Sequence, residues 1–138
     1  MKKLTTLAVI LFLSMPLAHA SETAKDCLET ATSNVDFSKC YADKINEADK
    51  QLNLKWKEVA AYLRGLEKSN KSKVYQSMLA EQRSWVRFKE NACQYYRAKT
   101  QDFGREGAVI GYGGCQLGIL EDRLRYLQNF LSDHQPDK

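Results

Sequence analysis

From Tyr41 onward, apolar side chains return at three- and four-residue steps: Tyr41, Ile45, Ala48, Leu52, Trp56, Val59, Leu63 and Leu66. That spacing gathers them on one stripe of a helix and leaves Asp43, Lys44, Glu47, Lys50, Lys57 and Glu58 mostly on the wet side. The helix is expected from about Ser38 to about Lys68, with Asp36 or Ser38 as its N-cap and Ser69-Asn70 at its end. A second run, from about Lys71 to about Thr100, repeats the pattern with Val74, Met78, Leu79, Trp85, Phe88, Ala92 and Tyr95 or Tyr96. Two long helices joined by a few residues form an antiparallel hairpin. Its seam hides apolar atoms that neither helix could bury alone, each large side chain contributing roughly 1.5–3 kcal/mol. If Trp85 lies inside that seam, its replacement by alanine costs about 3–5 kcal/mol.

Between Gln101 and Gly114 the pattern breaks, with glycines at 104, 107, 111, 113 and 114 around Ala108, Val109, Ile110 and Tyr112. This stretch reads as a loop, and Gly104, Gly107, Gly111 and Tyr112 are candidate partner-contacting residues, because loops on a rigid scaffold often carry recognition. A third helix is expected from near Cys115, with Leu117, Leu120, Leu124, Leu127 and Leu131 as its apolar stripe. Barely two heptads are too few for a coiled coil, so this helix packs onto the hairpin. The expected fold is all-α: a long antiparallel helical hairpin plus a third packed helix. Ser21 to Asn34 lacks strong periodicity and reads as an ordered lead-in tied down by Cys27.

The amino terminus changes the picture of location. Met1-Lys2-Lys3, an apolar run from Leu7 to Leu13, and Ala18-His19-Ala20 before Ser21 have the form of a secretory signal peptide cut after Ala20. The run is too short to span about 30 Å of hydrocarbon, and no second apolar stretch follows. The expected organisation is a leader at 1–20, a single domain at 21–133 and a disordered tail at 134–138, located in the periplasm or secreted and free of the membrane once the leader is gone. Losing Lys2 and Lys3 lowers the basic count of 21 by two against 17 acids, so the net charge falls from +4 to +2. A nucleic-acid binder shows a concentrated basic surface, and an exported protein rarely meets nucleic acid, so that class is set aside.

Cys27, Cys40, Cys93 and Cys115 all lie after the leader, and an even number of cysteines in a small exported protein reads as two disulfides. No C-x-x-C pair is present and the one histidine after the leader is His134, so metal-ligand spacing is absent. Three pairings are open to four cysteines. The local scheme, Cys27 with Cys40 and Cys93 with Cys115, is preferred because it closes two short segments at the ends of helices, each link stabilising by roughly 2–4 kcal/mol.

Catalytic chemistry finds little foothold. Without a histidine in the folded region no Ser-His-Asp or Cys-His arrangement can be assembled. The glycines fit neither a phosphate loop nor a dinucleotide fingerprint, and Glu121 and Asp122 are helix neighbours pointing different ways, unlike a glycosidase pair. No cofactor or metal is expected, and the chain reads as a non-enzyme. Arg83 and Arg87 share one helical face a turn apart, chiefly as a solvated face. Asn53 and Gln82 fall beside apolar positions, where an amide needs partners, and are expected to fix helix register.

Three blocks carry a family resemblance: Ala48-Asp49-x-x-Leu52-Asn53-x-x-Trp56, then Gln82-x-x-Trp85-x-x-x-Lys89-Glu90-x-x-Cys93, then Cys115 followed eight residues later by Arg123. In order and spacing they resemble the LprI-like lysozyme inhibitor domain over about Cys27 to Leu127. Its pattern reads approximately A-D-x-x-L-N-x-x-Y, Q-x-x-W-x-x-x-R-D-x-x-C and C-x-x-x-x-T-x-x-R. Trp56 therefore replaces a tyrosine, Lys89-Glu90 an Arg-Asp pair, and Leu120 a threonine whose hydrogen bonds are missing here. The resemblance implies an exported, helical, disulfide-containing module that binds a protein partner, a lysozyme or another peptidoglycan-cleaving enzyme, among them a delivered toxin to which it would give immunity. The competing expectation is a structural or stress-related envelope protein with another partner. Because common lysozymes are basic, local acidic patches at Glu22, Asp26 and Glu29, or at Glu121 and Asp122, are the surfaces expected to suit them.

Overall fold

A computed structural model describes residues 26–70 and 73–134. The leader at 1–20 and residues 135–138 of the tail lie outside the described residues. Five helical segments follow in order: α1 (Cys27–Thr30), α2 (Asn34–Asn70), α3 (Val74–Ala92), α4 (Gln94–Ala98) and α5 (Thr100–His134). No strand occurs among the described residues, and none of their helices is long and apolar enough to cross a membrane.

The axis of the molecule is α2, whose 37 residues span about 55 Å. It starts four residues earlier than the stripe predicted, because Ser33 and Asp36 form a reciprocal cap. The Asp36 amide donates to Ser33 Oγ at 3.2 Å, the Ser33 hydroxyl donates to Asp36 Oδ2 at 2.8 Å, and the Thr32 amide reaches Asp36 Oδ2 at 3.3 Å. This is a capping-box arrangement with aspartate in the third helical position. At the far end the Ser69 hydroxyl donates to the Gly65 and Leu66 carbonyls, and Glu67 Oε1 accepts the Gln76 amide of α3 at 3.2 Å, which satisfies one of that helix's orphan donors. Every residue of the expected α2 stripe is buried or half-buried.

Two cross-ties fix the direction of α3: Asp49 meets Lys89, and Arg64 meets Tyr75. The numbers rise on one helix as they fall on the other, so α2 and α3 form the expected antiparallel hairpin. Tyr41 packs against Gly113 and Tyr62 against Phe130, so α5 runs parallel to α2. The core lies between them, with Leu52, Val59, Leu63, Met78 and Leu127 buried and Trp56, Leu66, Trp85, Leu124 and Leu131 packed around them.

The second half of the chain differs from expectation in three ways. The second helix stops at Ala92, eight residues early, and Cys93 takes φ −96°, ψ 3°, a turn that redirects the chain into the short α4. The stretch from Gln101 to Gly114 is helix rather than loop, and the third helix begins at Thr100 rather than near Cys115. It also extends through His134, which stacks on Phe130 at 4.3 Å between ring centroids and so belongs to the helix rather than to a tail. Glycine density suggested a loop, but only Gly104 breaks the helix, at φ 68°, ψ 174°, a region open essentially to glycine alone. Gly111 and Gly113 serve close packing instead. A Cβ on Gly111 would stand 2.5 Å from Tyr96 Cδ1, and one on Gly113 would collide with the Tyr41 ring.

Both disulfides follow the local scheme. Cys27–Cys40 ties α1 to the start of α2, with Cα atoms 5.8 Å apart, and Cys93–Cys115 ties the turn after α3 to α5, with Cα atoms 5.9 Å apart.

Candidate functional site

The motif residues that are far apart along the chain meet where α3 packs beside the α2–α5 pair. Gln82, buried on α3, accepts two bonds at one oxygen, from Arg123 Nε at 3.0 Å and from Arg123 NH2 at 2.7 Å. The third guanidinium nitrogen, NH1, reaches Glu81 Oε1 at 2.6 Å. Arg123 is only 7% exposed, so its charge is balanced chiefly by this carboxylate, whose own side chain remains half in water. A lysine could not replace it, because one planar fork serves two acceptors at once. Gln82→Leu would strand the guanidinium and is expected to cost about 2–3 kcal/mol, read as a lower melting temperature.

A second network lies toward the disulfide end. Asp49 accepts Asn53 Nδ2 on its own helix at 2.9 Å and Lys89 Nζ from α3 at 3.0 Å. Asn53 itself is exposed, so it fixes the carboxylate that ties the helices rather than bonding across the seam itself. Lys89 stands where the related pattern has arginine, and it makes one point contact to Asp49. Trp85 joins the two networks, with Lys89 Nζ 5.7 Å and Arg123 Cζ 5.6 Å from its ring. Tyr126 stacks on Arg123 from α5 at 4.7 Å. Trp85 is half-buried rather than enclosed, which puts its truncation nearer the lower end of the expected cost. Leu52 and Trp56 belong to the core, and Leu120, in the place of the pattern's threonine, is 2% exposed and adds apolar burial there in place of a hydroxyl.

The candidate contact residues of the glycine-rich stretch are held by helix packing. Tyr112 lies under Arg97 at 5.2 Å and accepts Gln116 Nε2 at 2.9 Å, Gly111 receives the Tyr96 ring, Gly107 is half-buried, and Gly104 is exposed at the bend. They form no flexible loop. Two of the four acidic candidates among the described residues are compensated: Asp26 pairs with Lys44 at 2.8 Å, and Asp122 with Arg125 at 3.1 Å. Glu29 and Glu121 stay exposed, and Glu22 lies outside the described residues. The Lys44 hydrogen bond, helped by the Leu28 amide, holds the Asp26 carboxyl below its ordinary range, and the Ser33 hydroxyl and Thr32 amide do the same for Asp36.

Sequence reasoning missed one surface and one partner. Between α3 and α5 a groove of about 500 Å³ opens over Leu63, Leu66, Met78 and Phe130, rimmed by Lys73, Glu81 and His134. Glu81 was not singled out because an acid on a helix face is ordinary until a buried arginine is found beside it.

The family model described as Lysozyme inhibitor LprI matches residues 25–127. That span takes in all four cysteines, both polar networks and most of the core. No curated protein and no solved structure matches the chain.

Proposed function

Because the chain belongs to the LprI lysozyme inhibitor family, we propose that it is an exported periplasmic protein that binds and inhibits a lysozyme or another peptidoglycan-cleaving enzyme. The family match carries the reading. Support also comes from what the motif side chains do: Asp49, Gln82, Lys89 and Arg123 are engaged with one another across three helices, as a scaffold requires, instead of facing a shared cavity as reacting groups would. Two disulfides suit an oxidising compartment. The protein therefore works by presenting a rigid helical surface and carries out no reaction of its own.

A turbidity assay on cell-wall suspension tests this. The mature chain, residues 21–138, at micromolar concentration is expected to slow lysis by at least one enzyme in a panel of muramidases, with a matching complex on gel filtration. Full lysis rates across the panel and no complex would overturn the proposal.

A further inference from the structure

Six exposed cations share the face that α2 and α3 present away from α5. Lys50, Lys57 and Arg64 recur at seven-residue intervals and Lys68 follows Arg64 by one turn, so they form one stripe of α2 about 27 Å long. Arg83 and Arg87 stand one turn apart on α3. The ties from Asp49 to Lys89 and from Arg64 to Tyr75 set the register, and midway between them Lys57 stands level with Gln82, next to Arg83.

Counter-charge on this face is sparse. Among the described residues Lys57, Lys68, Arg83 and Arg87 make no ion pair, and Lys50 reaches Glu47 only at 3.9 Å. Arg64 donates to a neutral phenol, Tyr75 OH, at 2.8 Å, and Arg87 to the Ser84 hydroxyl at 3.2 Å. The nearby acids are otherwise engaged or displaced. Asp49 is held by Lys89 and Asn53, Glu67 accepts the Gln76 amide, and the exposed Asp43 and Glu90 sit at the disulfide end of the face. The opposite side, by contrast, mixes its charges in pairs such as Lys55 with Glu58 and Arg125 with Asp122. A nearly neutral chain thus carries one strongly cationic side.

Resting on the inhibitor reading, we propose that this α2–α3 face is the docking surface and that its partner is an acidic peptidoglycan-cleaving enzyme rather than a basic one. Like-charge approach of a basic lysozyme to this side is repulsive, whereas an anionic enzyme surface is steered onto it. The acidic patches expected from sequence are too small to offset six cations, since Asp26 and Asp122 are paired with cations of their own and only Glu29 and Glu121 are left among the described candidates.

The test uses the mature chain against two muramidases, one of pI about 5 or below and one of about 9 or above. The acidic enzyme is expected to bind, with an association rate that falls about tenfold or more as salt rises to physiological strength. Lys57→Glu with Arg83→Glu should slow association a further tenfold or so, while Arg125→Glu on α5 changes it by about twofold at most. All three sites are exposed, so circular dichroism and melting temperature should be unchanged in both variants. Equal binding of the basic enzyme, or equal effects of the two variants, would overturn the assignment of the face. If the double variant still blocks lysis at full strength, inhibition stands and docking is elsewhere. If neither enzyme is bound or inhibited, the inhibitor reading falls and this face with it.

Discussion

The two ends of α2 are held by different physics. Toward its C-terminus large side chains do the work: Leu52, Val59, Leu63, Met78 and Leu127 are buried together, with Trp56, Leu66 and Phe130 around them. Toward its N-terminus the buried residues are mostly small or sulfur-bearing, Cys40, Cys93, Ala108 and Gly113, with Leu120 as the large exception, and tyrosine rings lie directly on the backbone of α5. Both disulfides are at this end. A domain of this size has only a modest core, and here it is concentrated in one half. Covalent links stand where side-chain burial is thin.

The largest expected effect comes from the leucine end. Leu127 is fully buried at the meeting of α2 and α5, and Leu127→Ala should destabilise by about 3–5 kcal/mol. Chemical denaturation would show it as a lower midpoint, and a loss under about 1 kcal/mol would mean that this end is not where stability resides. Next in size is the Cys93–Cys115 link. It closes a 22-residue separation, and replacing both cysteines with alanine should cost about 2–4 kcal/mol. The comparison sharpens in hydrogen exchange: the Leu127 variant should weaken protection throughout, whereas the cysteine variant should weaken α4 and the first half of α5 most.

Glycines give a smaller, signed contrast. Ala at Gly113 must displace the Tyr41 ring, so overpacking of about 1–3 kcal/mol opposes a helix-propensity gain of roughly 1 kcal/mol, and the net effect is destabilising. Gly65, on the exposed side of the leucine end, has no atom within 4 Å of an added Cβ, and Gly65→Ala should stabilise by up to about 1 kcal/mol. Thermal melts that move the same way for both would remove the distinction between packed and merely tolerated glycines.

The same contrast decides what was legible. Along α2 and in the leucine stripe of α5, period and burial coincide because large apolar residues mark the inward face, and every predicted position is inside or half-inside. On α3 the signal misleads. Phe88, expected in the seam, is 56% exposed, and of the alternatives Tyr95 and Tyr96 it is Tyr96, on α4, that packs inward, while Gln82 and Lys89 point inward because Arg123 and Asp49 wait there as partners. Apolar periodicity cannot register a seam lined with hydrogen-bonded polar groups. Gln82 was legible as a register residue, but its partner forty-one positions away was not, and Asn53 acts on its own helix instead. The glycine stretch failed for a different reason: a glycine that breaks a helix and a glycine that accepts an aromatic ring look alike until the ring's position is known.

The smallest expected effect belongs to the extreme N-terminal end, where α1 and the start of α2 rest on two carboxylate caps. Asp26 accepts the Leu28 amide at 3.0 Å and Lys44 at 2.8 Å, and Asp36 closes the cap with Ser33 and Thr32. Both are held below the ordinary aspartate value of 3.8, so each favours the folded state above that value and loses this contribution as pH falls through its lower folded value. Acid should therefore loosen α1 and the first turn of α2 below about pH 4 while the leucine end stays packed. Carboxyl carbon NMR titration should place both midpoints below 3.8, with the Leu28 and Thr32 amide shifts following Asp26 and Asp36 respectively. The causes also separate. The Lys44 bond leads at Asp26 and the Ser33 hydroxyl leads at Asp36, so Lys44→Met should raise the Asp26 midpoint and leave Asp36 where it is. A joint shift of both midpoints would mean that the two caps form one coupled unit, and the staple at Cys27–Cys40 would then be holding a single acid-sensitive cap in place of two independent ones.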